Sequence, residues 1–419
     1  MLRRNIRIEG SSHVASPSPA PAAERAPNVR LILLALGMGG FAIGATEFAS
    51  MGILPWFAAG LGIDEPTAGH VISAYALGVV IGAPVLAVLG ARMSRRVLLI
   101  VLMGLFALAN GLSALAPTYE WMLVFRFLSG VPHGAYFGVA ALVAASVAPP
   151  GKRAQAVSRI LLGLAIATIV GVPFATLVSQ TFGWRWAFVI VSLLAVITMT
   201  LVYFLVPCDP RRPEASPLRE LDALKRRQVW LTLGVGAIGF GGMFAVYAYF
   251  SATLLAVTGV SGPVVSIMLA VFGLGIAAGN IGWGWAADKL GFKAAAVLLT
   301  WSAFALALYP FATGQVWSMA ILAFMIGMGG GLGTILQTRL MDVAGDAQTL
   351  AAALNHSAFN TANALGPLLA GAAIAAGYGW SVAGWVGCAL SIGGLIIWGL
   401  AWLDQKRSDT RDTACEAAH

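Results

Sequence analysis

Long apolar runs separated by short polar gaps recur along most of this chain. About twelve can be marked off, at 31–58, 67–89, 97–116, 120–147, 154–180, 186–206, 229–257, 262–286, 294–312, 316–338, 349–376 and 380–403. Crossing a bilayer takes about 20 mostly apolar residues in helical form. The pattern therefore predicts an all-α membrane protein with twelve transmembrane helices. Residues 1–29, with Arg3, Arg4 and Arg7 followed by SPSPAPAAERAP, read as a disordered cytosolic tail. Six runs then occupy 30–206, a charged cytosolic linker spans 207–228, six more runs fill 229–404, and 405–419 forms a second cytosolic tail.

Composition agrees with this division. Of 419 residues 59% are hydrophobic and 10% charged, against about 25% charged in soluble domains. The net charge of +8 raises the question of nucleic acid. The basic residues sit in the gaps between runs and not on one soluble domain, so no nucleic-acid partner is expected. Arg92, Arg95, Arg96, Lys152, Arg153, the linker, Lys289, Lys293, Arg339 and Lys406 fall on one side, while the other has only Asp64, Glu65, Glu120 and Arg185. Basic loops face the cytosol, which predicts a multi-pass protein of the cytoplasmic (inner) membrane with both termini cytosolic. Cys208, Cys388 and Cys415 show no C-x-x-C spacing. Neither a metal nor a cofactor is expected.

The chain also repeats itself. GARMSRR at Gly90 and GWAADKLGFK at Gly284 lie 194 positions apart, GVP and LGP 195, and GWRW and GWSV 196. Two six-helix bundles of like fold explain this, and parallel repeats of that kind place a binding site between the halves near the membrane midplane. In this register Glu47 meets Gly241 or Gly242 and Arg126 meets Ala320 or Ile321, so the charges belong to the first half alone.

Over about residues 30–405 the chain resembles the major facilitator superfamily. The family's loop after its second helix reads roughly G-x-x-x-D-[RK]-x-G-[RK]. Gly284, Asp288, Lys289, Gly291 and Lys293 match it, while the first copy keeps Gly90, Arg92, Arg95 and Arg96 with Ser94 in the acidic place. FRFLSGVPHGA resembles the R-x-x-x-G motif through Arg126 and Gly130. Gly171 and Pro173 resemble the fifth-helix antiporter motif loosely, and Gly366 with Pro367 gives a cleaner G-P in the eleventh. GATEF with MGILP, ALNHSAFN and NALGP are similar to bacterial drug/proton antiporters of the arabinose- and sugar-efflux permease type. The resemblance implies the major facilitator fold, a monomer that moves a small molecule by rocking two bundles, protons as a second partner, and gates in the loops.

Glu47 is the charge most deeply set in an apolar run, 17 positions from Arg30 and from Asp64. A carboxylate there costs roughly 3 kcal/mol on insertion scales and marks a functional site by default. Its helical stripe includes Gly37, Gly40, Gly44 and Met51, so it is expected to face the bundle and not lipid. Arg126 is the proposed partner, directly or through water, with snorkelling to headgroups as the alternative. His133 shares a face with Arg126 and Gly130; a proton relay and a plain buried histidine are both open readings. Glu47, Arg126 and His133 form the expected proton-coupling set. Substrate-cavity candidates are Tyr247, Tyr249, Asn355, His356 and Asn360, with Gln337 and Asn363 near them; each is equally a candidate for an interhelical hydrogen bond. Asp288 is expected to pair with Lys289 or a neighbouring cation in a cytosolic gate.

Proton-coupled efflux of a small drug- or sugar-like molecule is the leading function, with proton-coupled uptake as the alternative and a non-transporting sensor behind both. An enzyme is not expected. The chain has no H-E-x-x-H, no G-x-S-x-G and no phosphate-cradling G-x-x-x-x-G-K-[ST], and 207–228 is too short for a catalytic domain.

Overall fold

The computed structural model describes residues 28–90, 93–149, 153–208, 224–344 and 348–416. Most of the proposed N-terminal tail, most of the linker, and Arg92 lie outside these residues.

Among the described residues, twelve long helices cross the molecule. The first six are α1 (Val29–Gly52), α2 (Glu65–Gly90), α3 (Arg95–Leu115), α4 (Tyr119–Val147), α5 (Ser158–Phe182) and α6 (Arg185–Leu205). The second six are α7 (Arg227–Thr258), α8 (Gly262–Leu290), α9 (Lys293–Ala312), α10 (Val316–Ala344), α11 (Gln348–Ala373) and α12 (Val382–Glu416). Among the described residues, eleven of them are long and apolar enough to span a membrane. The other, α11, has the length but carries Asn355, His356, Asn360, Thr361 and Asn363 along its middle. A helix that polar is tolerated at membrane depth when its polar side faces protein.

Local chemistry sets the element ends. The Asn28 side chain caps α1 through the Leu31 amide, Asp64 caps α2 through the Thr67 amide at 2.8 Å, and Ser94 caps α3 through Val97. Gly62 and Gly259 end the segments before α2 and α8 with φ of 68° and 71°, the left-handed conformation that a side chain disfavours. Three single π-turns interrupt the regular helices, at Ala167–Gly171 in α5, Leu254–Thr258 in α7 and Ile374–Tyr378 after α11. The first precedes Pro173, which has no amide to donate.

The two bundles repeat at atomic detail. A Cβ on Gly78 or Gly82 of α2 would strike the carbonyl oxygens of Phe127 and Val131 in α4, and one on Gly275 or Gly279 of α8 would strike those of Phe324 and Met328 in α10. Gly130 meets the Tyr75 carbonyl as Gly327 meets that of Phe272. Every pair is displaced by 197 positions, as are the two left-handed glycines. The offset of 194 that the sequence suggested for the loop motif is therefore corrected: Gly284 answers Ala87, Gly291 answers Ser94, and Arg126 answers Ala323. Extended along α1, the same register sets Phe244 against Glu47. Glycine-rich sequence aligns with itself at several offsets, whereas backbone-to-backbone contact permits one. Near α6 and α12 the offset is 196, where Gly183 and Gly379 share positive φ, as the GWRW and GWSV pair indicated.

The bundles meet along α2 with α11, α5 with α8, and α1 with α7. One apolar core runs unbroken across this seam at the charge-poor face, from Phe48, Met51, Phe57 and Ile72 into Phe244, Tyr247, Phe272 and Leu306. A second is confined to the first bundle toward the basic face, around Leu36, Leu99, Phe106, Tyr136 and Val202.

Candidate functional site at the seam between the bundles

Glu47 is 1% exposed, in the part of α1 nearer the charge-poor face. The glycines of its stripe press α1 onto α5: a Cβ at Gly37, Gly40 or Gly44 would meet the Arg159 carbonyl, the Ile160 carbonyl or the Leu164 side chain. The carboxylate reaches α11. Its Oε1 accepts a hydrogen bond from Asn363 Nδ2 at 3.1 Å, joining residues 316 positions apart and tying one bundle to the other. Glu47 Oε2 and Asn363 Oδ1 are both buried without a hydrogen-bond partner.

Arg126 is fully buried, so it does not snorkel to the headgroups. Its Nη1 donates to Thr46 Oγ1 at 2.9 Å and to Ser129 Oγ at 3.5 Å, and its Nη2 donates to the Thr46 carbonyl at 3.3 Å. The guanidinium lies 4.4 Å above the Tyr75 ring and 5.4 Å from that of Phe188. No ion pair joins it to Glu47 among the described residues, which corrects the direct form of the expected pairing. Consecutive residues on a helix point about 100° apart. Thr46 therefore faces α4 while Glu47 faces α11. Thr46 Oγ1 donates in turn to Asn110 Oδ1 at 2.7 Å, and Asn110 Nδ2 donates to the Phe106 carbonyl at 2.8 Å.

Tyr75 extends the cluster. Its hydroxyl and His133 Nδ1 lie 2.9 Å apart, with the donor set by the histidine tautomer. The His133 ring centroid is 6.2 Å from that of His356, and Phe137 stacks on His356 at 5.4 Å with 6° between the planes. Asn360 donates to the His356 carbonyl at 3.0 Å and keeps an unpartnered Oδ1. Thr46, Arg126, Tyr75 and His133 thus form a connected polar cluster across α1, α4 and α2, with His356 of α11 in ring contact at its end.

The sequence reading missed Thr46, Tyr75 and Asn110, and left Asn363 at the edge of the set. Tyr75 and Asn110 are polar groups centred in apolar runs, the signal that singled out Glu47, but each is uncharged and so less conspicuous.

The remaining candidates divide. Tyr247 is buried against Phe48 and Phe272 with its hydroxyl unpartnered. Tyr249, two residues on, points elsewhere: it donates to the Pro367 carbonyl at 3.0 Å and packs where Gly69 and Gly371 leave room. Ser73 to the Ala364 carbonyl, Gln180 to the Gly262 carbonyl and Ser251 to the Gly52 carbonyl bond the bundles across the charge-poor face, where Tyr249 packs on Gly69. Asn355 stays within the second bundle, donating to Gln337 Oε1 at 2.8 Å. A Cβ on Gly171 would touch Phe41 of α1, and one on Gly366 would strike the Gly241 carbonyl of α7, so both G-P segments are close helix contacts.

In the basic loops Arg95 donates to the Leu142 carbonyl, while Arg96 bonds Cys208 and the Tyr203 carbonyl and lies over the Tyr203 ring. Lys289 lies 3.9 Å over Trp285 and Lys293 5.3 Å over Trp402. Gly291 ends α8 with φ of 55°. Among the described residues Asp288 makes no ion pair, so the pairing expected of it is absent here. Asp288 and Lys289, as adjacent helical residues, diverge.

Two six-helix bundles packed along one seam, with polar side chains from both bundles at its middle, form the frame of a membrane transporter. A family profile described as Major Facilitator Superfamily matches residues 36–261 and 233–417, and the chain belongs to that family. It is 40% identical over 375 residues to the inner membrane transport protein YdhP of Escherichia coli, covering 88% of this chain and 94% of that one. It is 33% identical over 356 residues to the putative transporter AraJ of Escherichia coli, covering 84% and 90%. To a probable sugar efflux transporter of Pasteurella multocida it is 31% identical over 390 residues, covering 90% and 93%. Among solved structures, the nucleoside transporter NupG superposes with a TM-score of 0.70 at 14% identity, covering 89% of this chain and 100% of that one. An inward-facing, unoccupied bacterial homologue of the human lysosomal transporter Spinster gives 0.67 at 17%, covering 90% and 96%. These two likenesses concern the fold.

Proposed function

We propose that this transporter exports a small organic molecule, drug- or sugar-like, in exchange for protons, with Glu47 as the coupling acid. The observation that carries the reading is the position of that carboxylate: it is buried at the seam and bonded across it to Asn363. A group whose charge changes there alters the attraction between the bundles themselves. Arg126, held in the first bundle by Thr46 and Tyr75, supplies a fixed positive charge nearby. His133 and His356 lie on the way toward the basic face and suit passage of the proton onward. The efflux direction draws support from the relative named as a probable sugar efflux transporter. The basic loops support an inner-membrane orientation with both termini cytosolic.

The test is flux in proteoliposomes with an imposed pH gradient, using labelled sugars and labelled amphiphilic organic molecules. Acid on the outer side is expected to drive export by the wild type and not by Glu47→Gln. Equal pH-driven export by both proteins would remove Glu47 from the coupling role.

A further inference from the structure

The Glu47–Asn363 contact is half satisfied. One hydrogen bond joins the two groups, from Asn363 Nδ2 to Glu47 Oε1 at 3.1 Å. The atoms left over, Glu47 Oε2 and Asn363 Oδ1, are both buried and both lack a partner. Both are oxygens. Neither can donate to the other while the carboxylate is ionised, and buried acceptors without donors are rare in folded proteins. They belong to the same two planar groups, and one proton on Oε2 would let it donate to Oδ1 and complete a two-bond acid–amide pair. A single added hydrogen would thus supply the second bond, where the proposed coupling acid is hydrogen-bonded to the other bundle.

We infer that protonated Glu47 and Asn363 form a proton-dependent latch that holds the two bundles together at the charge-poor face. This rests on the reading of Glu47 as the coupling acid and adds a function for Asn363, which positions the acid and makes bundle closure sense its proton. With the proton bound, two hydrogen bonds cross the seam. When the proton leaves, one N–H···O bond remains, and Oε2⁻ and Oδ1 are both left as acceptors without a donor. The latch weakens and the charge-poor face is freed to open.

The surroundings fit a local switch. Arg126 and Tyr75 are titratable groups packed beside this turn of α1, Arg126 bonded to Thr46 and stacked on the Tyr75 ring. Arg126 is committed to Thr46 and Ser129, and Tyr75 to His133, so neither takes the place of Asn363. α5 meets α1 here through Leu164 and Ala167, which do not titrate. α7 contributes Phe244 and Tyr247 around Phe48, and α11 carries His356 with Asn360 further along.

The latch is read without any substrate. Spin labels at Ala59→Cys in the first bundle and Ala376→Cys in the second, both exposed positions at the charge-poor face, report opening by pulsed electron resonance in nanodiscs, with Cys208, Cys388 and Cys415 changed to serine. The wild-type separation is expected to be short in acid and to lengthen as pH rises. Glu47→Gln, whose amide supplies the missing donor at every pH, is expected to stay short throughout. Asn363→Leu is expected to lose the pH-dependent change. A wild-type separation that ignores pH, a Glu47→Gln protein that still opens, or an Asn363→Leu protein with the wild-type pH response would each overturn the latch. If Asn363→Leu keeps both that response and pH-driven flux while Glu47→Gln loses flux, the coupling role of Glu47 stands and the latch alone fails. If Glu47→Gln keeps flux, the coupling reading fails first.

Discussion

The two bundles share a frame and differ in chemistry. α2 packs on α4, and α8 on α10, through the same glycine-to-carbonyl contacts 197 positions apart. Within that frame Tyr75 answers Phe272 and Arg126 answers Ala323. The first bundle holds a buried cation that is hydrogen-bonded and ring-stacked. The second holds an aromatic cluster of Phe250, Phe272 and Tyr247 at the corresponding place. Backbone contact is thus the conserved part of the duplication, and side-chain chemistry diverged freely above it. One half can carry charge and the other apolar surface without either changing shape.

Making the first half resemble the second should have the largest effect. Arg126→Ala removes the guanidinium's hydrogen bonds to Thr46 and Ser129 and its stacking on Tyr75, and a hydrogen bond to a charged group contributes about 1.5–3 kcal/mol. Loss of transport and a large fall in thermal midpoint in detergent are expected; wild-type flux would show that the buried cation has no role. Next come Gly78→Leu and Gly275→Leu, each driving a side chain into a facing carbonyl. Overpacking of this kind costs typically 1–3 kcal/mol and occasionally more. The two should lower the midpoint by similar amounts, and an effect in one half alone would break the equivalence of the frames.

Tyr75→Phe and Phe272→Tyr exchange the halves' chemistry by one oxygen. The first leaves His133 Nδ1 without its partner and the second adds a hydroxyl among apolar rings. An unsatisfied buried polar group costs about 1–3 kcal/mol, so opposite changes should destabilise alike in thermal scans. The smallest effect belongs to the helix starts. Asp64 caps α2, while Ser261 at the start of α8 makes no such bond. Asp64→Ala should cost about 1 kcal/mol and Ser261→Ala nearly nothing. The Thr67 hydroxyl and amide hold the Asp64 carboxyl below the usual carboxylate range. Its contribution is therefore full above that range, fades as pH falls through the lowered value, and is gone in stronger acid. A wild-type minus Asp64→Ala stability difference that grows on acidification would contradict this.

The helices were legible because crossing a bilayer imposes long apolar runs. Glu47 and Arg126 were legible because charge in such a run is costly. Their partners were not. Which way a helix is rotated decides whether Thr46 or Glu47 meets Arg126, and periodicity leaves that rotation undetermined once most sides of the helix are apolar. The Asn363 bond spans two bundles, and nothing in a linear pattern sets the register of one bundle against the other. Tyr247 and Tyr249 looked like one cavity pair on type alone, though residues two apart on a helix cannot face one way.

Arg126 takes its partners within its own bundle, while the neighbouring Glu47 takes its partner from the other. The machine therefore has a stator and a clutch plate one residue apart on α1. In this conformation the positive charge is bonded inside its own bundle, and under the proposed latch the negative charge alone would engage and release the other. A carboxylate clamped directly to that arginine would have kept its ionic bond in place of the cross-bundle one, and the engagement between the halves would no longer depend on it.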